Sequence, residues 1–206
     1  MLSLVLLLLG CGNRTQKASD TDTFMLDGPG SVYIPEDELL DEATILSIRT
    51  MVEARVAEVY EEVNRRWDPE YMSKQSDRPL EEMFTTRRWQ KVYKDVRDIE
   101  RQYADSDERH FFIEGGNTWT MGSFDAPFQV SDLVVNPTGK FTAEARFWIC
   151  PAESEGAEVV WEMEIEDGEW RIDNFIDDTP DHDSSESERF DYLEHMEAYV
   201  NANRNK

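Results

Sequence analysis

The residues able to do chemistry lie mostly in the second half of the chain. Glu144, Arg146, Glu162, Glu164, Glu166, Arg171 and Asp173 alternate with apolar neighbours, the two-residue period of strands with one charged face. Paired carboxylates can serve general acid–base chemistry. At cross-strand spacing they also form ordinary salt-bridge ladders worth about 0.2–1 kcal/mol per pair, and a ladder is the expectation here. His110 follows Asp105, Asp107 and Glu108 and precedes Phe111-Phe112, so it reads as a general base at a pocket mouth or a loop residue covering the core. His182 stands between Asp181 and Asp183, without a His-x-x-x-His pair to support a metal. Counted from Asp177, residues Thr179, Asp181, Asp183, Ser185 and Glu188 imitate the ligand spacing of a calcium loop. His182 replaces the turn glycine and Pro180 interrupts the series, so an acidic, hydrated linker is expected instead. With two cysteines, Cys11 and Cys150, a Cys-ligated zinc site is excluded. No Gly-rich phosphate loop, G-x-S-x-G or H-E-x-x-H occurs. No catalytic residue, metal or cofactor is expected.

The elements that must position these groups follow from periodicity. Ile45, Ile48, Val52, Val56, Val59, Val63 and Trp67 recur at spacings of three and four, which predicts one long helix from near Asp41 to Asp68-Pro69. Glu53, Arg55, Glu58, Glu61, Glu62 and Arg65 fall on its opposite face. A short helix with Leu80, Met83 and Phe84 follows, with Asp77 as its expected N-cap. A third helix carries Trp89, Val92, Tyr93, Val96, Ile99 and Tyr103. Its other face holds Arg87, Arg88, Lys91, Lys94, Arg97 and Arg101, expected to pair with nearby acids or to meet an acidic partner or the acidic tail. Four strands come next. The first runs from Phe128 to Val135 and the second from Phe141 to Cys150, with Phe141, Ala143, Ala145, Phe147 and Ile149 on one face. The third carries Val159, Trp161, Met163 and Ile165, and the fourth Trp170, Ile172, Asn174 and Ile176. Their short links predict an antiparallel meander. A final amphipathic helix with Phe190, Leu193 and Met196 is expected to start at a Ser185/Glu188 capping box.

The 206 residues carry a formal net charge of −24. Such a surface repels phosphate backbones, so nucleic acid is excluded as a partner. At the other end, Leu2 to Leu9 are almost all apolar and lead into Gly10-Cys11. Eight residues are too few to span a bilayer core about 30 Å thick. The run Leu8-Leu9-Gly10-Cys11 resembles the signal of bacterial lipoproteins. That resemblance implies a signal peptide over 1–10, lipidation of Cys11 and a membrane anchor in the cell envelope, facing the periplasm or the exterior. No Lys or Arg precedes the apolar run. Residues 11–40 read as a tether, 41–178 as the α+β domain, and 179–206 as an acidic linker with a C-terminal helix.

The ending Gly168-Glu169-Trp170-Arg171-Ile172-Asp173-Asn174-Phe175, together with three helices before an antiparallel sheet, resembles the nuclear transport factor 2-like (cystatin-like, SnoaL-like) superfamily and its envelope lipoproteins. The resemblance implies N-terminal helices packed on a curved antiparallel sheet, forming a cone whose open end can hold a ligand. On that basis Trp119, Met121, Phe124, Phe128 and Phe147 are expected to line an apolar pocket, with Asn174 as the polar group facing into it. The expected function is a non-catalytic lipoprotein that binds a small apolar ligand or a protein partner. The alternative is a hydrolase or isomerase with an acid or base in the cone.

Overall fold

The computed structural model describes residues 40–67, 78–102, 118–122, 126–151, 156–180 and 189–204. Cys11, the 1–10 signal and the tether before residue 40 lie outside the described residues. So do Phe124, His110, His182, Asp77, Tyr103 and the stretch 181–188. Glu38–Lys206 form one compact unit, so the helix within 179–206 belongs to the same body as the sheet.

The architecture is α+β. Helices α1 (Glu42–Trp67), α2 (Leu80–Phe84) and α3 (Arg87–Gln102) precede strands β1 (Gln129–Pro137), β2 (Thr142–Cys150), β3 (Ala157–Glu166) and β4 (Glu169–Asp177). A two-residue strand β5 (Phe190–Asp191) and helix α4 (Tyr192–Asn203) follow. All five strands form one antiparallel sheet in sequence order. The β3–β4 hairpin turns on Asp167-Gly168, both at positive φ, the backbone that a two-residue primed turn demands.

The helix periodicity reports burial directly: Ile48, Val52, Val56, Val59 and Val63 are buried on α1. Tyr60 joins them, a residue outside the expected face. Strand β2 alternates as expected at Ala143, Ala145, Phe147 and Ile149, whereas Phe141 precedes the strand and stands 58% exposed. Helix α4 starts later than the Ser185/Glu188 reading required. Its N-cap is Asp191, whose carboxylate accepts from Glu194 N, and Phe190 belongs to β5 instead. The N-cap of α2 falls on Pro79 rather than on Asp77.

Arg55 departs from the solvated face assigned to it. Its side chain is 13% exposed, lies over the Phe84 ring at 4.9 Å, and donates to Trp170 O at 2.9 Å and Met83 O at 3.3 Å. Arg171 donates to Met83 O as well, at 3.2 Å. Both edges of the sheet are engaged by side chains or by a short strand. At the β1 edge, Arg49 donates to Val135 O, and Asn64 both donates to the carbonyl and accepts from the N–H of Phe128, the residue just before the strand. On β4, Thr86 N donates to Ile172 O, and β5 pairs with Ile176 and Asp177.

The core is a set of aromatic rings drawn from helix and sheet. Tyr60 stacks on Trp161 at 5.7 Å, and Trp161 meets Phe147 edge-on at 4.8 Å. Phe175 touches Trp89, Trp119 and Trp161 at 4.7, 5.0 and 5.7 Å. Trp161 is fully buried, and its indole N–H has no hydrogen-bond partner. Trp161→Ala is therefore expected to cost roughly 3–5 kcal/mol in denaturant unfolding. Trp161→Phe should cost much less, since no hydrogen bond is lost. A wild-type unfolding midpoint for the alanine variant would contradict this packing.

Candidate functional site

Three of the residues expected to line a pocket are built into the core, and Phe124 lies outside the described residues. Trp119, Phe128 and Phe147 are all buried. The Trp119 indole donates to Glu81 Oε1 at 3.0 Å, and its carbonyl accepts from the Tyr60 hydroxyl at 3.2 Å. Trp67 packs edge-on against Phe128 at 6.3 Å. Met121 is half-buried, its sulfur 3.9 Å from the Tyr192 hydroxyl. Burial first, and then Asp177, push the Tyr192 hydroxyl up to about 12.

Asn174 does not face this interior. The β3–β4 register passes from Glu162↔Asn174 to Met163↔Ile172, so Asp173 is an extra residue in β4. Beyond that bulge Phe175, not Asn174, lies opposite Trp161. Asn174 emerges on the other face, 3% exposed. It donates to Glu162 Oε2 at 3.1 Å and Asp191 Oδ2 at 3.0 Å, and its carbonyl accepts from Leu193 N at 3.1 Å. One amide thus joins β3, β4 and the start of α4. The sequence carries the signal: alternation breaks at Asp173-Asn174-Phe175-Ile176, two polar residues and then two apolar ones.

The face that Asn174 joins is the charged one, and it is less balanced than a salt-bridge ladder. Glu144 lies directly opposite Glu162, a like-charge pair of the kind that destabilises a sheet. Together with Glu164, Asp173, Thr138 and Thr142 they line an open cleft of about 340 Å³. Asp173 accepts from Thr86 and Arg88. No cation pairs with Glu144, Glu162 or Glu164 among the described residues. Burial, reinforced by the charges of Asp173 and Glu166, raises the Glu164 carboxyl above its ordinary value. Arg146 turns away from this cluster to Glu158 and Asp178. Arg171 turns to Glu169 and the α2 carbonyls. The cleft is thus a carboxylate surface open to a cation or a basic chain.

The basic stripe of α3 is mostly spent within the fold. Arg87 pairs with Asp167 and Glu166, and Arg88 with Asp173 and with Glu197 of α4. Asp95 takes Arg204 at 3.4 Å. Seven residues separate the contacts on each helix, so α3 and α4 run side by side in the same direction. Glu100 is the most deeply buried carboxylate among the described residues, 6% exposed. It accepts from Arg97 at 3.1 Å. Burial, with Glu81 and Glu100 adding to it, raises the Tyr93 hydroxyl. From sequence, Glu100 is expected, with Asp95 and Asp98, as a solvated partner of the stripe; the pairing is present, but Glu100 is buried, as its place beside Ile99 and four residues after Val96 allows.

The remaining candidates are used structurally where they are described. Asp177 accepts from Thr179 N and Thr179 Oγ1, so the first two positions of the calcium-like spacing satisfy each other. His195 stacks on Phe190 at 4.1 Å. The Cys150 sulfur lies 3.6 Å from Ser131 Oγ. No group of three or more His, Cys, Asp or Glu side chains suits a metal among the described residues. No described helix is long and apolar enough to cross a membrane. No family model matches the chain, no curated protein matches it, and no solved structure matches it.

Two substitutions read this face. Asn174→Asp keeps the acceptor for Leu193 N and places a third carboxylate against Glu162 and Asp191. It should cost about 3–5 kcal/mol at neutral pH, the range for an uncompensated buried charge, and recover on acidification. A neutral-pH melt equal to wild type would show that the amide is not the joint. Glu164→Gln should act in the other direction. A raised carboxyl makes the folded state bind its proton more tightly, so ionised Glu164 opposes folding at neutral pH. The glutamine variant should melt higher at pH 7. That advantage should shrink as pH falls through the carboxyl's raised range, where wild-type Glu164 becomes protonated.

Proposed function

We propose that the chain is a non-catalytic lipoprotein of the bacterial cell envelope. In this reading acyl groups on Cys11 hold it to the membrane, and a cone-shaped domain of the nuclear transport factor 2-like kind docks a protein partner. The apolar run before Gly10-Cys11 supports the anchor. The packed interior favours a protein over a small apolar ligand, since Trp119, Phe128 and Phe147 are already in contact with core side chains.

The observation that carries the docking surface is the carboxylate cleft, in which Glu144 lies opposite Glu162 with Glu164 beside them, and Asp173 alone of the four pairs with a cation, Arg88, among the described residues. A fold stabilised by side-chain pairing elsewhere leaves like charges facing each other here. A basic partner would relieve that repulsion, and its attraction would weaken as salt rises. The hydrolase or isomerase alternative rests on Glu100. Its carboxylate is engaged by Arg97 on the same helix, which leaves this the second reading.

Metabolic labelling with palmitate should mark the wild type and not Cys11→Ser. A labelled serine variant would remove the anchor from the proposal. For the docking face, a lysine-rich peptide should raise the melting temperature of the wild type at low salt. Glu144→Gln combined with Glu162→Gln should abolish most of that shift and leave the fold intact. An unchanged shift in the double variant would remove the cleft from the proposal.

A further inference from the structure

Two strongly exposed apolar side chains share one end of the domain, and it is the end at which the chain enters. Leu46 is 66% exposed and Phe141 is 58% exposed. Their common level follows from two contacts between α1 and β1. Arg49 bonds to Val135 and Asn64 to Phe128. The fifteen-residue step along the helix is about 22 Å, and the seven-residue step along the strand, shortened by one residue at the irregularity between Ser131 and Val134, is about 20 Å. The order of the two contacts makes helix and strand antiparallel, and the two spans agree to within about one strand residue. The first turn of α1, with Leu46, therefore lies level with the residues after Val135. Those residues form the β1–β2 turn, closed by Thr138 N and Gly139 N donating to Thr142 O. Lys140 stands on that turn with its ammonium 5.6 Å from the Phe141 ring centroid.

We propose that this end of the domain rests on the lipid bilayer, with Phe141 and Leu46 entering the headgroup region and Lys140 on lipid phosphate. The proposal builds on the anchoring of Cys11 and adds which surface meets the membrane. Attachment is made through the residues just before α1, so the anchor gives this end a high effective concentration at the bilayer. An aromatic ring beside a lysine suits an interface: the ring buries in the headgroup layer and the ammonium stays wet. Asp41 and Glu42 at the start of α1, and Glu144 and Glu164 in the cleft that Thr138 and Thr142 of the same turn help to line, oppose an anionic surface. The partner is thus a zwitterionic phospholipid face, whose phosphate meets Lys140 and whose amine meets these acids.

The test uses the full acylated protein in phosphatidylethanolamine/phosphatidylcholine vesicles. One spin label is placed by Phe141→Cys and another, on the far part of α1, by Glu61→Cys, both in a Cys150→Ser background. Both labelled positions are exposed, so the fold tolerates them. The expected result is a label at 141 several-fold more accessible to oxygen, and less accessible to a water-soluble nickel chelate, than the label at 61. Equal nickel accessibility at both positions, in protein that floats with the vesicles, would overturn the contact and leave the anchor standing. Protein that does not float with the vesicles would overturn the anchor and the contact together.

Discussion

Side chains in a strand alternate between faces, so the extra residue at Asp173 turns over every side chain of β4 beyond it. Without it, Asn174 would enter the ring cluster and Phe175 would meet the charged face. With it, Phe175 packs against Trp89, Trp119 and Trp161, while Asn174 reaches Glu162 and Asp191. The bulge also divides the strand's edge. Ile172 before it pairs with Thr85 and Thr86, and Ile176 and Asp177 beyond it pair with β5. The attachment of α4 depends on this division, because Asn174 caps Leu193 N only from the turned-over side.

A second constraint acts on α2. A five-residue helix is too short to stand on its own propensity. Its last carbonyls are captured by guanidinium groups from two directions: Arg55 of α1 and Arg171 of β4 share Met83 O. Arg171 also reaches Glu82 O and Thr85 O at 3.4 Å. Positive charge at a helix C-terminus is favourable. The two arginines connect α1 to the sheet through the backbone of α2.

What was readable in the sequence was what local spacing decides. Val52, Val56, Val59 and Val63, or Ala143, Ala145, Phe147 and Ile149, are buried because one element presents them to one neighbour. Arg55 could not be read that way. On the helix it stands three residues after Val52 and four before Val59, on the valine side, but its partners are carbonyls of distant residues. The charged strand face was legible as a face, but its imbalance was not. Arg146 and Arg171 fall among the acids in sequence, and tertiary geometry sends both elsewhere. The aromatic set was legible as aromatic. Whether rings surround a space or fill it depends on contacts such as Tyr60 on Trp161, made across about a hundred residues of chain.

The engagement of the sheet edges bears on how such a surface changes over generations. Strand addition recognises backbone, which every sequence possesses, and so admits unwanted companions. Here Arg49 and Asn64 hold β1, while Thr86 and β5 hold β4. Strand addition at those backbone groups is thereby opposed, so a contact made there by another chain would run through side chains. Selectivity can then drift one residue at a time, as the charge pattern varies, while the backbone scaffold stays constant.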